Sequence, residues 1–215
     1  MQEQNQGRRK FIKNATGMMA GLGLLPAFAE GKPYNPTDNL NIIGPLEGFS
    51  PQIGTFVSML NWMRNSVVSA TKGLTQAGLD FLLDDKSNSI GAMLLHLAAT
   101  EVIYQDLTFN NLKGFSEANK KRWSVAMSLG ADGRKQIKGN NLDYYLTNLQ
   151  EVREASLAEF KKRDDKWLAE VDPNFFGNKP TNNYCKWFHV CEHEANHRGQ
   201  ITLVRKRLPG SSQED

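Results

Sequence analysis

The sequence lacks a large charge excess, an abundance of cysteine and any apolar run long enough to cross a bilayer. Its 26 basic and 23 acidic residues give a formal net charge of +3, and this excess lies in residues 1–29, which hold four basic residues and one acidic residue. The rest of the chain is therefore neutral. A nucleic-acid-binding protein needs a positive surface that displaces counterions from phosphates, and the sequence indicates none. We expect a small-molecule substrate and no nucleic acid as partner.

The two cysteines do not form a disulfide framework. Cys185 and Cys191 are six residues apart on a predicted helix, about 9 Å along its axis, which exceeds the reach of a disulfide. The sequence therefore predicts that they are not bonded to each other. We interpret both as buried structural thiols.

The stretch "GRRKFIKNATGMMAGLGLLPAFAE" resembles a twin-arginine export signal. Arg8 and Arg9 precede a weakly apolar run from Ala15 to Leu25, and the tripeptide "AFA" supplies a small-x-small cleavage site. The apolar run is too short to span a bilayer. The resemblance implies a signal peptide over residues 1–29 and a periplasmic protein with no stable membrane span after cleavage. This route carries folded proteins, so a metal can be inserted before export.

Four long amphipathic segments follow the leader. In each of them apolar residues recur every three or four positions, and capping or helix-breaking residues separate the segments. The predicted helices run from Ser50-Pro51 to about Lys72-Gly73, from Ile90 to about Phe109, from Leu142 to about Lys162, and from about Asn182 to just before Pro209-Gly210. Ser50 is the predicted N-cap of the first helix and Pro51 its first residue.

The remaining segments predict connections, not strands. No apolar run of period two is bounded by hairpin turns. Residues 111–140 are polar and interrupted by glycine, with one short helix predicted around "EANKKRWSVAM". Four long helices, two short links and one long crossover predict an all-α protein, a four-helix bundle. We expect an extended segment at residues 30–49, a single bundle domain at residues 50–208 and a flexible tail at residues 209–215.

All four histidines fall on two of the predicted helices. His189, His193 and His197 are four residues apart on the last helix, and the inward stripe of that helix includes His193 and His197. Because eight residues extend about 12 Å along a helix, one ion can bind only one neighbouring pair, and the spacing leaves both pairs open. His96 lies within the apolar sequence "AMLLHLAAT", where an unpartnered imidazole is costly to bury. His96 and one pair would form a three-nitrogen site with an open coordination position.

The segments "SIGAMLLHLAATEVIY" and "HVCEHEANHRGQI" resemble two motifs of the DinB superfamily of helical-bundle proteins, the DinB/YfiT-like type. The likeness covers roughly Ser50 to Leu208 and preserves the order of the helices. It implies that His96, His193 and His197 bind one divalent ion, Zn²⁺, Ni²⁺ or Fe²⁺, and that His189 lies in the pocket one turn away. It also implies a metal-dependent hydrolase or a thiol-dependent S-transferase, with the option of a homodimer.

Two other functions compete with this interpretation. A bundle of this kind can instead hold a metal or an apolar ligand without catalysis. The residues from His193 to His197 also spell HExxH, in which two histidines hold zinc and the glutamate activates water for peptide hydrolysis. However, Gln200 stands where a metzincin has glycine, and no histidine follows it. We therefore do not favour a zinc peptidase, and we expect Glu194 to point toward a neighbouring helix.

Several polar residues near the predicted site are candidates for a role in catalysis. Thr100 lies one helical turn after His96 and can direct its hydroxyl into the cavity. Gln200 lies three residues after His197 and can hold a ring N–H of that histidine or a substrate. Three further candidates can act as a base or as an orienting hydrogen-bond acceptor: Glu101, Tyr104 and Glu192. Residues of these types more often lie at the surface or the edge of a bundle.

Overall fold

The computed structural model describes residues 40–211. Within this range the chain forms eight α-helices, one short 3-10 turn at Phe176–Asn178 and two paired two-residue strands. The helices are α1 (Pro51–Thr71), α2 (Gln76–Asp80), α3 (Ile90–Thr108), α4 (Glu117–Ser128), α5 (Gly130–Gln136), α6 (Leu142–Phe160), α7 (Asp165–Ala169) and α8 (Asn183–Arg205). The strands β1 (Val171–Asp172) and β2 (Thr181–Asn182) pair antiparallel, with Val171 opposite Asn182 and Asp172 opposite Thr181.

Some of the predictions fall on residues that lie outside this range. They are the export signal at residues 1–29, the first ten residues of the extended segment and the last four residues of the tail. Among the described helices, none is both long enough and apolar enough to cross a membrane.

The predicted all-α fold is confirmed, and the four long helices α1, α3, α6 and α8 are the bundle. Helix α3 packs against α6 and α8, and α1 packs against α8. The long crossover between α3 and α6 contains two helices, α4 and α5, where one short helix was expected. Helix α4 packs along α3. The crossover therefore covers the helix that carries His96.

Helix α1 has Ser50 as its N-cap and Pro51 as its first residue, as predicted, but another residue supplies the side-chain cap. Ser50 makes no side-chain capping bond, and its hydroxyl instead donates to Asp165 Oδ1 at 2.5 Å. The same carboxylate oxygen accepts from the backbone N–H groups of Gln52 at 3.0 Å and Ile53 at 3.2 Å. Asp165 is the first residue of α7. The unpaired N–H groups of α1 are thus capped by a residue from another helix.

The apolar core consists of two clusters stacked along the bundle. Larger members of the first cluster are Val67, Leu94, Leu97, Tyr145 and Ile201. Larger members of the second are Phe56, Leu60, Phe109, Phe160 and Trp187. Each of the long helices contributes to both clusters.

A buried layer of four charged residues lies where the two clusters meet. Each of the four long helices contributes one residue to this buried charged layer. Arg64 Nη2 donates to Glu101 Oε2 at 2.7 Å and to Glu194 Oε1 at 2.6 Å. Arg153 donates through Nε to Glu101 Oε1 and through Nη2 to Glu194 Oε1, both at 2.8 Å. None of the four residues is more than 9% exposed. Two positive and two negative charges cancel, so the layer is neutral as a whole.

Glu101 makes this layer sensitive to acid. Burial alone would raise the pKa of its carboxyl group, but the charges of Arg153 and Arg64 outweigh burial and lower the pKa to about 2. Because the folded-state pKa lies below the ordinary value of 4.5, the ion pairs stabilise the fold fully above about pH 5 and lose that effect as the pH falls toward 2.

We predict that Glu101→Gln lowers the free energy of unfolding by about 3–5 kcal/mol at pH 7, because it leaves two buried arginines short of a negative charge. The difference from the wild type should shrink by about 3 kcal/mol between pH 5 and pH 2. Urea unfolding followed by circular dichroism measures both quantities. Glu151→Gln is the matched control, because Glu151 forms an ion pair with Arg122 in which both side chains are 58% exposed, and it should cost at most about 1 kcal/mol. A difference for Glu101→Gln that stays constant with pH would contradict the prediction.

Candidate metal centre

Three histidine rings from two helices converge at one point. His193 Nε2 lies 2.9 Å from His96 Nε2 and 3.1 Å from His197 Nε2, and the three candidate ligand atoms all lie within 4.8 Å of one another. His96 and His197 are buried and His193 is half-buried. Of the two pairs that the spacing allowed on α8, the structure therefore joins His193 and His197 to His96.

Hydrogen bonds hold two of the three rings in a fixed orientation. His96 Nδ1 donates to the backbone carbonyl of Ala126 on α4 at 2.9 Å. His197 Nδ1 donates to Gln200 Oε1 at 3.1 Å, and Gln200 Nε2 in turn donates to Asn196 Oδ1 at 3.2 Å, which sets the orientation of the amide. Because Nδ1 carries the proton in each neutral ring, the Nε2 atoms of His96 and His197 present lone pairs.

This arrangement suits a divalent cation. His193 Nε2 faces two lone pairs and can carry one proton at most, so hydrogen bonds alone satisfy only one of its two contacts. A cation between the three nitrogens would satisfy all of them. Two of the separations, 2.9 and 3.1 Å, are also close to those of nitrogens that share one ion with bonds of about 2.0–2.1 Å. The chemistry of the donors therefore fits a metal ion.

The protonation state of the three histidine rings also agrees with metal binding. Burial, followed by the neighbouring rings of His197 and His96, lowers the pKa of His193 to about 3. Burial and His96 lower the pKa of His197 to about 4. Burial also lowers the pKa of His96. The three imidazoles are therefore neutral at physiological pH, which is the form that binds metals.

His189 lies beside the three histidines without joining them. Its ring centroid is 5.4 Å from that of His193, and its Nδ1 lies 3.0 Å from the hydroxyl of Tyr104 on α3. Burial raises the pKa of Tyr104 above its usual value, so the hydroxyl keeps its proton and shares a hydrogen bond with His189. His189 thus lies next to the converging rings, in contact with His193.

Thr100 remains a candidate for a role in catalysis. It is 2% exposed, it lies one turn after His96 on α3, and its hydroxyl has no hydrogen-bond partner within the described part of the chain. A buried hydroxyl without a partner is uncommon and calls for an explanation such as a ligand or a water.

Glu101 is no longer a candidate for a catalytic base. It was expected at the surface or the bundle edge, but it is fully buried and both of its oxygens accept from arginines of the charged layer. With its pKa near 2, this carboxylate is a poor base. Tyr104 is also buried instead of lying at the surface, whereas Glu192 is exposed.

Glu194 does not take the role that HExxH would give it. Its Oε1 accepts from Arg64 and Arg153 on two other helices. This agrees with the expectation that the side chain points toward a neighbouring helix and not to the centre.

The two cysteines are free, as predicted. The expectation that both are buried is wrong for Cys185, which is exposed. Cys191 is half-buried, and burial raises the pKa of its thiol to about 11. Neither thiol belongs to the group of potential metal ligands.

The sequence reasoning missed three groups that shape the centre. Arg64 and Arg153 anchor Glu194, which directly follows His193. Arg64 lies within the inward stripe of α1, and a charged residue at such a position is a signal that its partner lies on another helix. The carbonyl of Ala126 left no signal, because a backbone group is the same at every position.

Similar folds occur in solved structures from three bacteria. A conserved protein from Enterococcus faecalis is 13% identical, with 70% of this chain and 93% of that chain covered and a TM-score of 0.54. An uncharacterized protein from Clostridium difficile 630 is 12% identical, with 73% and 97% covered and a TM-score of 0.56. A protein from Streptococcus pneumoniae is 12% identical, with 73% and 92% covered and a TM-score of 0.56. At this level of identity the likeness shows the fold alone.

Sequence comparison gives one result at the level of families. No curated protein matches the chain. A family model described as "Mycothiol-S-transferase" matches residues 55–210, which include all three converging histidines.

We predict that the protein, purified without a nickel affinity step, carries about one equivalent of a divalent metal. Elemental analysis of the double variant His96→Ala/His197→Ala should show that this metal is lost. His189→Ala is the matched control: it removes a histidine from the same helix, one turn away, and should keep the metal. Equal, substoichiometric metal in the wild type and the double variant would contradict the site.

Proposed function

Because this chain belongs to the mycothiol-S-transferase family, part of the DinB/YfiT-like metal-dependent superfamily, we propose that it transfers a low-molecular-weight thiol to an electrophilic small molecule. His96, His193 and His197 would hold one divalent ion, with zinc, nickel and iron(II) as the candidates. The observation that carries the proposal is the convergence of three neutral imidazoles on one point. Three protein ligands leave a coordination position open, as in catalytic sites.

The reaction forms a bond between the thiol sulfur and a carbon of the acceptor. The bond from that carbon to its leaving group breaks, and the thiol proton passes to solvent. A divalent ion at the centre would supply positive charge that lowers the pKa of the thiol, which raises the fraction of nucleophilic thiolate at neutral pH.

The protein itself supplies orientation. Ala126 and Gln200 prevent the rings of His96 and His197 from rotating, and such outer contacts also make an imidazole a better ligand. We assign the unpartnered hydroxyl of Thr100 to a hydrogen bond with the reacting sulfur or the acceptor. His189, held by Tyr104, forms the adjacent wall.

We also propose that the protein is exported to the periplasm by the twin-arginine route. The support is the sequence of the leader alone. Replacing Arg8 and Arg9 with lysine should retain the full-length protein in the cytoplasm of a bacterial host that has this route. Cell fractionation with immunoblotting measures the distribution, and Lys10→Arg serves as a control that should still be exported. Export of the twin-lysine variant at the wild-type level would contradict the proposal.

We predict that the metal-loaded protein consumes a thiol and an electrophile in equal amounts and yields their S-conjugate, detected by mass spectrometry. A chelator should abolish the activity and an added divalent ion should restore it. The variant His96→Ala/His197→Ala should lose at least about a hundredfold in rate, because removing ligands of a catalytic ion removes its charge stabilisation.

The outcomes separate this function from its rivals. Cleavage of the acceptor by water without consumption of thiol would indicate a hydrolase. Stoichiometric metal without turnover of any thiol would indicate a bundle that binds metal without catalysis.

A further inference from the structure

Four aromatic rings form a closed group beside the metal centre. Tyr104 lies on α3, Phe175 and Phe176 lie on the turn between β1 and β2, and His189 lies on α8. The ring centroids of Phe175 are 6.3 Å from Tyr104 and 4.7 Å from Phe176. Those of His189 are 5.5 Å from Phe176 and 5.7 Å from Tyr104. Because His189 also contacts His193 at 5.4 Å, ring contacts connect the turn to a candidate metal ligand.

Part of this aromatic group is accessible to solvent. Phe176 is 37% exposed and His189 is half-buried, whereas Tyr104 is only 5% exposed. A single exposed phenylalanine is ordinary on a protein surface. Here, however, the exposed ring contacts His189, which contacts the half-buried ring of His193. Accessible aromatic surface therefore continues from Phe176 to the metal centre, and we call Phe176 and His189 the stacking surface.

The turn that carries Phe176 is fixed to α8. The ammonium group of Lys186 lies 4.2 Å from the ring centroid of Phe175 and donates to Asp172 Oδ2 on β1 at 3.2 Å. Gly177, which follows Phe176, has a φ of 58°, and glycine adopts this left-handed conformation without strain. A side chain that is already held in place loses little freedom when a ligand binds, which favours affinity.

The stacking surface has a defined position relative to the metal centre. His189 and His193 are one helical turn apart, about 6 Å along the axis of α8, and the hydrogen bond with Tyr104 holds the ring of His189. A flat ring on the stacking surface would place a carbon attached by a short linker beside His193. Aromatic pairs gain free energy beyond that of area burial. The surface therefore favours an aromatic ring over a saturated ring of the same size.

We propose that the stacking surface binds the ring of the acceptor, so that the protein prefers aromatic electrophiles to saturated ones of equal size. The proposal rests on the proposed function, because it concerns the acceptor of that reaction. Phe176 is then a specificity-determining residue. It contacts the acceptor at its ring and not at the reacting carbon, so it acts on binding and not on the chemical step.

Two chloroacetamides provide matched acceptors for the metal-loaded protein. N-phenyl-2-chloroacetamide carries a flat ring, and N-cyclohexyl-2-chloroacetamide carries a puckered ring with the same number of carbons. In both, the thiol sulfur bonds to the methylene carbon, chloride leaves and the thiol proton passes to solvent. The common thiol is 2-mercaptoethanol at one saturating concentration. Every protein carries Cys185→Ser, because Cys185 is exposed and would itself be alkylated.

Three variants of this parent protein separate the aromatic face from other effects. Phe176→Leu removes the aromatic face and keeps an apolar side chain, whereas Phe176→Tyr keeps the face. Phe188→Leu is the matched control, because it makes the same substitution at a 55% exposed phenylalanine of α8. Phe188 is rotated by about 100° from His189 around the helix. Elemental analysis should show equal metal content throughout, since neither phenylalanine belongs to the group of potential ligands.

We expect the parent protein to have a KM about fivefold lower for the phenyl acceptor than for the cyclohexyl acceptor. Phe176→Leu should raise the KM for the phenyl acceptor about fivefold at unchanged kcat, because the lost contact is made equally in the bound and reacting states. The KM for the cyclohexyl acceptor should stay within about twofold. Phe176→Tyr and Phe188→Leu should keep the preference of the parent.

Ligand-observed NMR separates the stacking surface from the reaction. Acetanilide and N-cyclohexylacetamide lack the chloride and cannot react, and acetanilide should bind about fivefold more tightly. Phe176→Leu should remove this difference. If no thiol is consumed, the proposed function fails, and this binding result still supports the stacking surface.

Three results would overturn the proposal. The first is equal KM values, or equal binding, of the aromatic and saturated rings in the parent protein. The second is a preference that Phe176→Leu leaves unchanged. The third is a loss of preference in Phe188→Leu as large as that in Phe176→Leu.

Discussion

The buried charged layer is the constraint on which the metal centre depends. Arg64, Glu101, Arg153 and Glu194 come from the four long helices, and their charges are compensated only when all four helices stand in one register. A slip of α8 by one turn would place the carboxylate of Glu194 among apolar side chains, at a cost of several kcal/mol. Because Glu194 directly follows His193, and Glu101 lies five residues after His96, the register that pairs the charges also brings these histidines together.

The layer contributes more to specificity than to stability. Buried ion pairs gain little over well-packed apolar residues, because desolvation of the charges offsets their attraction. This layer is also incompletely satisfied, since Arg153 Nη1 and Glu194 Oε2 have no partner within the described part of the chain. An apolar replacement of the same volume would hold the helices together as firmly. It would not distinguish one register from the next, whereas the histidines require a single register.

The sequence predicts what depends on local pattern and leaves out what depends on contacts between distant segments. The period of apolar residues placed the four long helices within two or three residues of their observed ends, and the spacing of histidines limited the site to two pairs. The side-chain cap of α1 could not be foreseen, because Asp165 reaches it from more than a hundred residues away. The second helix of the crossover, α5, was missed because its sequence is short and polar. The burial of Glu101 was missed because its partners, Arg64 and Arg153, lie on other helices.

The cap of α1 by Asp165 has a consequence for the order in which the chain becomes structured. A ribosome releases residues 51–53 long before it reaches residue 165. During that interval the first turn of α1 has no capping partner and remains open to water. Of the helices in the described range, the one that is synthesised first is therefore capped only after α7 has been made, so a nascent chain that ends before residue 165 lacks this cap.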